Sequence, residues 1–118
     1  MEQTFPRIEK LKSKQLIGQV FSKGKSVKKF PVLLLYYPLP THYTTHKVAV
    51  SVPKRNFKKA VDRNRIKRLI REAYRTQKQI IYTPNHKKFA ILFLYLGKEH
   101  KPYSKIQQAV NTLLHEIN

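Results

Sequence analysis

The chain has 118 residues, of which 25 are Lys or Arg, six are Asp or Glu and none is Cys, giving a formal net charge of +19. This length predicts one domain over residues 1–118, and the lack of Cys excludes disulfide scaffolds, thiolate zinc sites and cysteine nucleophiles. So large a charge imbalance indicates a polyanionic partner, and it favours nucleic acid over an anionic membrane surface.

Residues 1–6 have no basic region followed by an apolar stretch, so they do not resemble a signal peptide. The longest apolar run, Phe89–Leu96, is too short to cross a bilayer as a helix. We therefore expect a cytoplasmic protein without a membrane partner.

The first half of the chain predicts one helix and then strands. Apolar residues recur at helical spacing over residues 10–22, with Ser13 as a candidate N-cap and Gly24 as a stop signal. β-Branched and aromatic residues predict a strand over Phe30–Tyr37, and a further short strand can come before it. The residue types alternate over residues 47–52, which predicts another strand after the loop. Because these two strands are consecutive, we expect them to pair as an antiparallel hairpin.

The second half predicts helix, strand and helix. The longest helical pattern spans Lys58–Gln79, with Asn56 as its candidate N-cap. A buried strand follows at Phe89–Leu96 and a last helix at Ser104–Ile117. The order αβββαβα predicts an α+β sandwich, in which three helices surround one mostly antiparallel four-stranded sheet.

The helix over Lys58–Gln79 has two opposite faces when it is projected at about 100° per residue. One arc is apolar: Ile66, Leu69, Ile70, Ala73 and Tyr74. The opposite arc is basic and polar: Asn64, Lys67, Arg68, Arg71, Arg75 and Lys78. We name six residues the basic stripe: Arg63, Asn64, Lys67, Arg68, Arg71 and Arg75.

The basic arc is interpreted either as a solvated helix face or as a contact with a nucleic-acid backbone. A solvated face normally mixes both signs of charge. Here the nearest acid is Glu72, at the margin, where it can pair with Arg68. The arc is rich in Arg, whose planar fork holds phosphate in bidentate fashion, and this favours the nucleic-acid contact.

The segment Arg63–Glu72 resembles the signature of the bacterial ribonuclease P protein subunit, which reads Arg-Asn, two residues, Lys-Arg, two residues, Arg. The chain matches this pattern at Arg63, Asn64, Lys67, Arg68 and Arg71. The resemblance extends along most of the chain, including Val20-Phe21 with Gly24, Val50-Ser51-Val52 before Lys54-Arg55, and Ala60-Val61. It implies an α/β sandwich with a left-handed βαβ crossover, and a role in removing the 5′ leader of precursor tRNA.

The resemblance also implies two binding surfaces. The five signature residues would contact the RNA subunit, and Arg75 extends this surface by the helical projection alone. A cleft between the first helix and the sheet would bind the leader, and its residues would be Ile17, Phe21, Leu33, Leu35, Tyr37, Ser51 and Arg55. Tyr37 enters this set because it shares a strand face with Leu33 and Leu35. For these two leucines, cleft and core remain alternative interpretations; the same alternative exists for Phe21, where the cleft is favoured.

No catalytic constellation is visible, because the six carboxylates are scattered along the chain. His42 and His46 lie four residues apart on a predicted loop, where we expect exposed side chains rather than a metal site. The resemblance places the catalytic centre in the RNA subunit, and we expect Mg²⁺ to act through that RNA. The expected partners are ribonuclease P RNA and precursor tRNA, with no obligate protein partner.

Three other functions compete with this interpretation. A structural RNA-binding protein of the ribosomal type has a similar composition, but it does not need the Arg63–Arg71 signature. A protein-only nuclease is opposed by the scattered carboxylates. Membrane binding by the basic helix is opposed by its apolar arc, which lacks Trp and Phe.

Overall fold

The computed structural model describes residues 10–82 and 87–117, and three helices and four strands lie in these ranges. In chain order they are α1 (Lys14–Lys23), β1 (Lys25–Lys29), β2 (Val32–Pro38), β3 (Lys47–Ser51), α2 (Ala60–Gln77), β4 (Phe89–Tyr95) and α3 (Tyr103–Ile117). A 3₁₀ turn, Lys78–Ile80, follows α2 directly. The predicted α+β class and element order are confirmed.

The α1 helix begins and ends at the predicted capping residues. The Ser13 hydroxyl accepts a hydrogen bond from the Leu16 N–H at 3.3 Å, and the Gly24 N–H donates to the Val20 carbonyl at 3.0 Å. A Cβ atom at Gly24 would lie 2.3 Å from the Val20 carbonyl oxygen, so the close approach of the backbone requires glycine. The helical pattern over residues 10–22 begins four residues before the helix itself, because Leu11 donates its N–H to the Val48 carbonyl instead.

The predicted hairpin between the second and third strands is wrong. The sheet order is β1-β2-β4-β3, so β4 lies between β2 and β3. It pairs antiparallel with β2 and parallel with β3, which makes the sheet mixed. The reason is hydrophobicity: β4 is apolar on both of its faces and is nearly all buried, so it takes the central position. The left hand of the crossover from β3 through α2 to β4 stays a prediction.

The predicted cap of α2 is also wrong. The helix begins at Ala60 with Lys59 in the N-cap position and no side-chain cap, while Asn56 donates its N–H to the Pro53 carbonyl in a turn after β3. This turn uses the predicted cap residue itself, and α2 starts two residues later than predicted.

The two faces of the sheet differ in how they are covered. We call the side of β2 and β4 that carries Leu34, Ile91 and Phe93 the packed face, because α2 and α3 bury it completely. We call the side that carries Leu33, Leu35, Leu92 and Leu94 the open face, because α1 covers only part of it. Side chains alternate between the two faces along each strand.

The predicted exposure of His46 is wrong, whereas His42 is exposed. His46 is completely buried, and its Nδ1 accepts the Phe89 N–H at 3.0 Å. Its Nε2 therefore carries the proton and donates to the Ile81 carbonyl, also at 3.0 Å. The imidazole thus links the segment before β3 to Ile81, after α2, and to Phe89, at the start of β4. These contacts place it in the interior.

Candidate nucleic-acid interface

The basic stripe lies on the outer side of α2, opposite the residues that anchor this helix. Ile66, Ile70, Ala73 and Tyr74 are buried against the packed face, and Leu69 is half-buried, as the projection predicted. Asn64, Arg68 and Arg71 are exposed on the other side of the helix, and Lys67 is half-buried beside them. The helix therefore presents cations to solvent over several turns while its apolar side holds it in place.

Arg63 has a structural partner that the sequence pattern did not reveal. Its Nη1 donates to the backbone carbonyls of Phe57 and Lys58, at 2.7 and 2.9 Å. These contacts tie the segment before α2 to the first turn of the helix, so the guanidinium is held at a defined position at the start of the stripe. Hydrogen bonds from a charged group are stronger than neutral ones, which helps to fix this geometry.

Glu72 pairs with Arg75, and not with Arg68 as expected. The Nε of Arg75 donates to a Glu72 carboxylate oxygen at 3.0 Å, and its Nη2 contacts the other oxygen. The hydrogen bonds from Arg75 lower the pKa of Glu72, so the carboxylate is ionised at neutral pH. Arg75 thus lies at the stripe beside a negative charge, whereas Arg68 and Arg71 have no salt bridge among the described residues.

The floor of the predicted cleft is the open face of the sheet. Leu33 lies opposite Leu94, which lies opposite Ser51 on β3. In the next row Leu35 lies opposite Leu92, and in the row after that Tyr37 lies opposite Ala90. Three strands therefore bring Leu33, Leu35, Tyr37 and Ser51 to one surface, as the resemblance implies.

The α1 helix forms the wall of this cleft. Ile17 packs against the cluster between α1 and the sheet, whereas Phe21, one turn later, is 58% exposed. Phe21 is therefore an aromatic ring presented to solvent rather than a core residue. An exposed aromatic ring is the kind of side chain on which an unpaired base can stack.

The two leucines for which cleft and core were alternatives differ in their packing. Leu33 and Leu35 are both half-buried on the open face, with Leu35 packed beneath α1 and Leu33 outside both hydrophobic clusters of the described residues. Neither belongs to the main core. Arg55 is exposed in the turn after β3, and Ser51, at the end of that strand, is half-exposed.

Two floor positions were missed by the sequence analysis. Leu94 and Ala49 are half-exposed on the open face, where Leu94 lies beside Leu33 and Ala49 lies beside Leu92. Alternation along β3 and β4 was visible in the sequence, but the neighbours of these residues depended on the strand order. Because the expected hairpin placed β3 beside β2, it did not place Ala49 beside Leu92 on β4.

Within residues 10–82 and 87–117, no three His, Asp or Glu side chains lie close enough to hold a metal ion together. A search of the same residues finds no helix with the length and hydrophobicity needed to cross a bilayer.

A basic helix on one side of the sheet and an open, partly aromatic face on the other are the features of an RNA-binding protein of the α+β class. The chain matches the model of the Ribonuclease P family over residues 5–118, and it therefore belongs to that family. Its function is that of an RNA-binding subunit of ribonuclease P in tRNA 5′ processing, with ribonuclease P RNA as its partner. This result decides against the ribosomal-type alternative.

Sequence relatives and solved structures agree with this assignment. The chain is 34% identical to the ribonuclease P protein component of Chlorobium phaeobacteroides, covering 92% of this chain and 84% of the relative. It is 31% identical to that of Porphyromonas gingivalis, with 92% and 82% covered. The fold is similar to those of the RNase P proteins of Thermotoga maritima (TM-score 0.76, 24% identity, 93% and 98% covered) and Staphylococcus aureus (0.77, 22%, 92% and 94%).

Proposed function

We propose that the chain binds the ribonuclease P RNA through the basic stripe and the 5′ leader of precursor tRNA through the cleft, while the RNA holds the catalytic centre. The observation that carries this proposal is that the two surfaces are separate: the stripe lies on α2, and the cleft lies on the face of the sheet away from α2. One protein can therefore contact two RNA segments at the same time.

The stripe suits a folded RNA backbone because its charges are spaced along one side of a rigid helix. Arg68 and Arg71 are three residues apart and exposed, so their guanidinium groups can bind successive phosphates. Phosphate contacts of this kind position a protein without reading sequence. Arg63, held by two carbonyls, and Arg75, paired with Glu72, have less freedom to reorient toward phosphate.

The cleft suits a single strand because it offers an aromatic ring and an apolar floor with cations nearby. We infer that a leader base stacks on Phe21 and lies over Leu33 and Leu94, while Arg55 binds the backbone. Ile17, Leu35 and Tyr37 support the wall and floor, and Ser51 offers a hydroxyl at the edge. Binding of this kind tolerates different sequences, because every base has a stacking face.

Catalysis is assigned to the RNA subunit because the described carboxylates form no cluster that could hold a metal ion, and two of them have other partners. Asp62 lies 3.5 Å from the His100 imidazole, and Glu72 is paired with Arg75. Mg²⁺ is therefore proposed to act at sites in the RNA, and the protein lowers the Mg²⁺ requirement by placing cations near the phosphates. We propose a cytoplasmic protein that needs no obligate protein partner.

The stripe is tested by reversing one charge. Arg71→Glu is expected to weaken binding to ribonuclease P RNA and to reduce the slope of log affinity against log salt by about 1 for the lost phosphate contact. Lys105→Glu, an equal charge change on the exposed side of α3, is the matched control and is expected to have a smaller effect. Equal effects of the two variants would show general attraction rather than a defined stripe contact.

The assignment of catalysis is tested by cleavage of a precursor tRNA at a series of Mg²⁺ concentrations. The RNA subunit alone is expected to cleave at high Mg²⁺, and the complex with this protein is expected to cleave at lower Mg²⁺. Cleavage by the protein without RNA, at any Mg²⁺ concentration, would contradict the proposal.

A further inference from the structure

Phe30 is an exposed aromatic residue for which the cleft gives no explanation. Its side chain is 57% exposed, almost the same as the 58% of Phe21, whereas Phe57, Phe89 and Phe93 are buried. Burying a phenyl ring stabilises a protein by a few kcal/mol, so folding alone does not favour leaving it in solvent. Phe30 lies in the short turn between β1 and β2, at the end of the sheet.

A shallow groove surrounds this ring. It has a volume of about 350 Å³ and is lined by Phe30, Leu96, Lys98, Glu99 and Lys101. The Lys101 Nζ lies 5.8 Å from the centroid of the Phe30 ring, within the range of a cation–π contact. The groove thus combines an aromatic face with cations at its edge, which is the chemistry that binds an unpaired nucleotide.

The groove lies on the continuation of the cleft floor. The Leu96 N–H donates to the Pro31 carbonyl at 2.7 Å, which extends the pairing of β2 with β4 one residue beyond the Val32–Tyr95 pair. By alternation, Leu96 follows Leu92 and Leu94 on the open face, about 7 Å further along the strand. A strand of RNA that leaves the cleft past Leu94 therefore reaches the Phe30 groove next.

Charge decides which partner fits the groove. Lys98 and Lys101 line it, and Lys28 is exposed on β1, where it lies opposite Leu33. Glu99 is the acid in the lining, and its backbone carbonyl accepts a hydrogen bond from the Tyr95 hydroxyl, which fixes the loop. The loop is also held by the contact of His100 with Asp62 at the start of α2. Two lysines in the lining against one acid, with Lys28 on the same side of the sheet as Leu33, favour a polyanionic strand over an apolar peptide.

We propose that Phe30 is a second stacking position for the precursor tRNA leader, with Lys98 and Lys101 binding the adjacent phosphates. The proposal rests on the proposed function of the cleft, because the leader must occupy the cleft before it can extend to Phe30. The two exposed phenyl rings then hold two different leader nucleotides, with the Leu33–Leu94 row between them.

The test is a series of precursor tRNAs whose leaders differ in length, bound to the complete complex of this chain with ribonuclease P RNA. Phe30→Ala is expected to weaken binding about tenfold for long leaders and to leave mature tRNA and the shortest leaders unaffected. Phe30→Trp is expected to retain the affinity, because the indole also stacks. The affinity of Phe30→Ala for ribonuclease P RNA alone is expected to equal that of the unmodified chain.

Three outcomes would contradict the inference, and they show whether the proposed function of the cleft fails with it. If Phe21→Ala shows a leader-dependent loss and Phe30→Ala does not, the inference is wrong and the proposed cleft stands. If neither variant shows a dependence on the leader, the proposed function of the cleft is itself wrong. If Phe30→Ala weakens binding to the RNA subunit at every leader length, Phe30 contacts that subunit and the inference is overturned.

A fluorescence readout gives an independent check, because the chain contains no Trp. In Phe30→Trp the single indole is expected to be quenched when a long leader binds and to be unaffected by mature tRNA. His115→Trp places an indole on the exposed side of α3 and is the matched control, for which no leader-dependent change is expected. Equal quenching in both variants would contradict stacking at position 30.

Discussion

The packed and open faces of the sheet are built from alternate residues of the same strands, yet they have different tasks. On the packed face, Leu34 and Phe93 are fully buried beneath α2 and α3. On the open face, their neighbours Leu33 and Leu94 remain half-exposed because α1 covers only one part of the surface. The comparison shows that a strand can supply stability with one set of side chains and a binding floor with the other.

The comparison is tested most directly at two adjacent leucines. Leu34→Ala is expected to lower the free energy of unfolding by about 2–5 kcal/mol, because it leaves a cavity in a core that cannot collapse. Leu33→Ala is expected to cost less than about 1 kcal/mol, since the side chain is already partly in water. Urea denaturation monitored by circular dichroism measures both. Equal losses would show that the open face is a core in the same sense as the packed face.

A second test concerns the buried imidazole. His46→Ala removes the partners of the Phe89 N–H and the Ile81 carbonyl, and each buried group left unpaired costs about 1–3 kcal/mol. We expect a loss of about 2–4 kcal/mol in denaturant unfolding. His42→Ala, at an exposed position of the same loop, is expected to change stability by less than about 0.5 kcal/mol. A similar small effect at both positions would contradict the structural role of His46.

The open face is expected to show the reverse pattern, with binding affected and stability preserved. Phe21→Ala removes an exposed ring, so the free energy of unfolding should stay within about 0.5 kcal/mol of the unmodified chain. Loss of one stacking contact is worth roughly 1–3 kcal/mol, so affinity for precursor tRNA with a leader should fall about tenfold, and that for mature tRNA should not. Unfolding of the variant would place Phe21 in the core instead.

The smallest expected effect is a dependence of folding stability on pH, which arises from a tyrosine at the end of the packed face. Burial raises the pKa of Tyr95 above its usual value of 10.0, opposed by a hydrogen bond with the Lys101 backbone and assisted by the Glu99 carboxylate. The protonated phenol is therefore favoured in the folded state. Its contribution to stability is complete below pH 10 and is lost as the pH rises through the raised pKa.

Thermal unfolding between pH 8 and 11.5 measures this contribution. The unmodified chain is expected to lose more stability than Tyr95→Phe over the upper part of the range, while titration of the lysines affects both equally. Parallel curves for the two proteins would show that Tyr95 does not contribute.

Local patterns in the sequence were sufficient to predict the three helices, apart from the N-terminal cap of α2, and the chemistry of the stripe. The apolar arc of α2 follows from the 3.6-residue period of the helix. Ser13 and Gly24 could be predicted as the caps of α1 because capping depends on neighbouring backbone groups. The basic arc opposite Ile66 and Ile70 follows from the same projection. These features depend on residues within a few positions of one another, so the chain reveals them without its fold.

Strand order, the position of His46 and the anchoring of Arg63 were decided by the tertiary structure. Periodicity assigns residues to the two faces of a strand, but it does not say which strand lies beside it, so the parallel pairing of β3 with β4 could not be read from either segment. A histidine in a polar loop looks exposed until Phe89 and Ile81, 43 and 35 residues away, supply its partners. Such contacts between distant segments form only when the whole sheet has assembled, which is why composition and spacing identified the basic stripe, whereas only the fold showed which residues of the open face are neighbours.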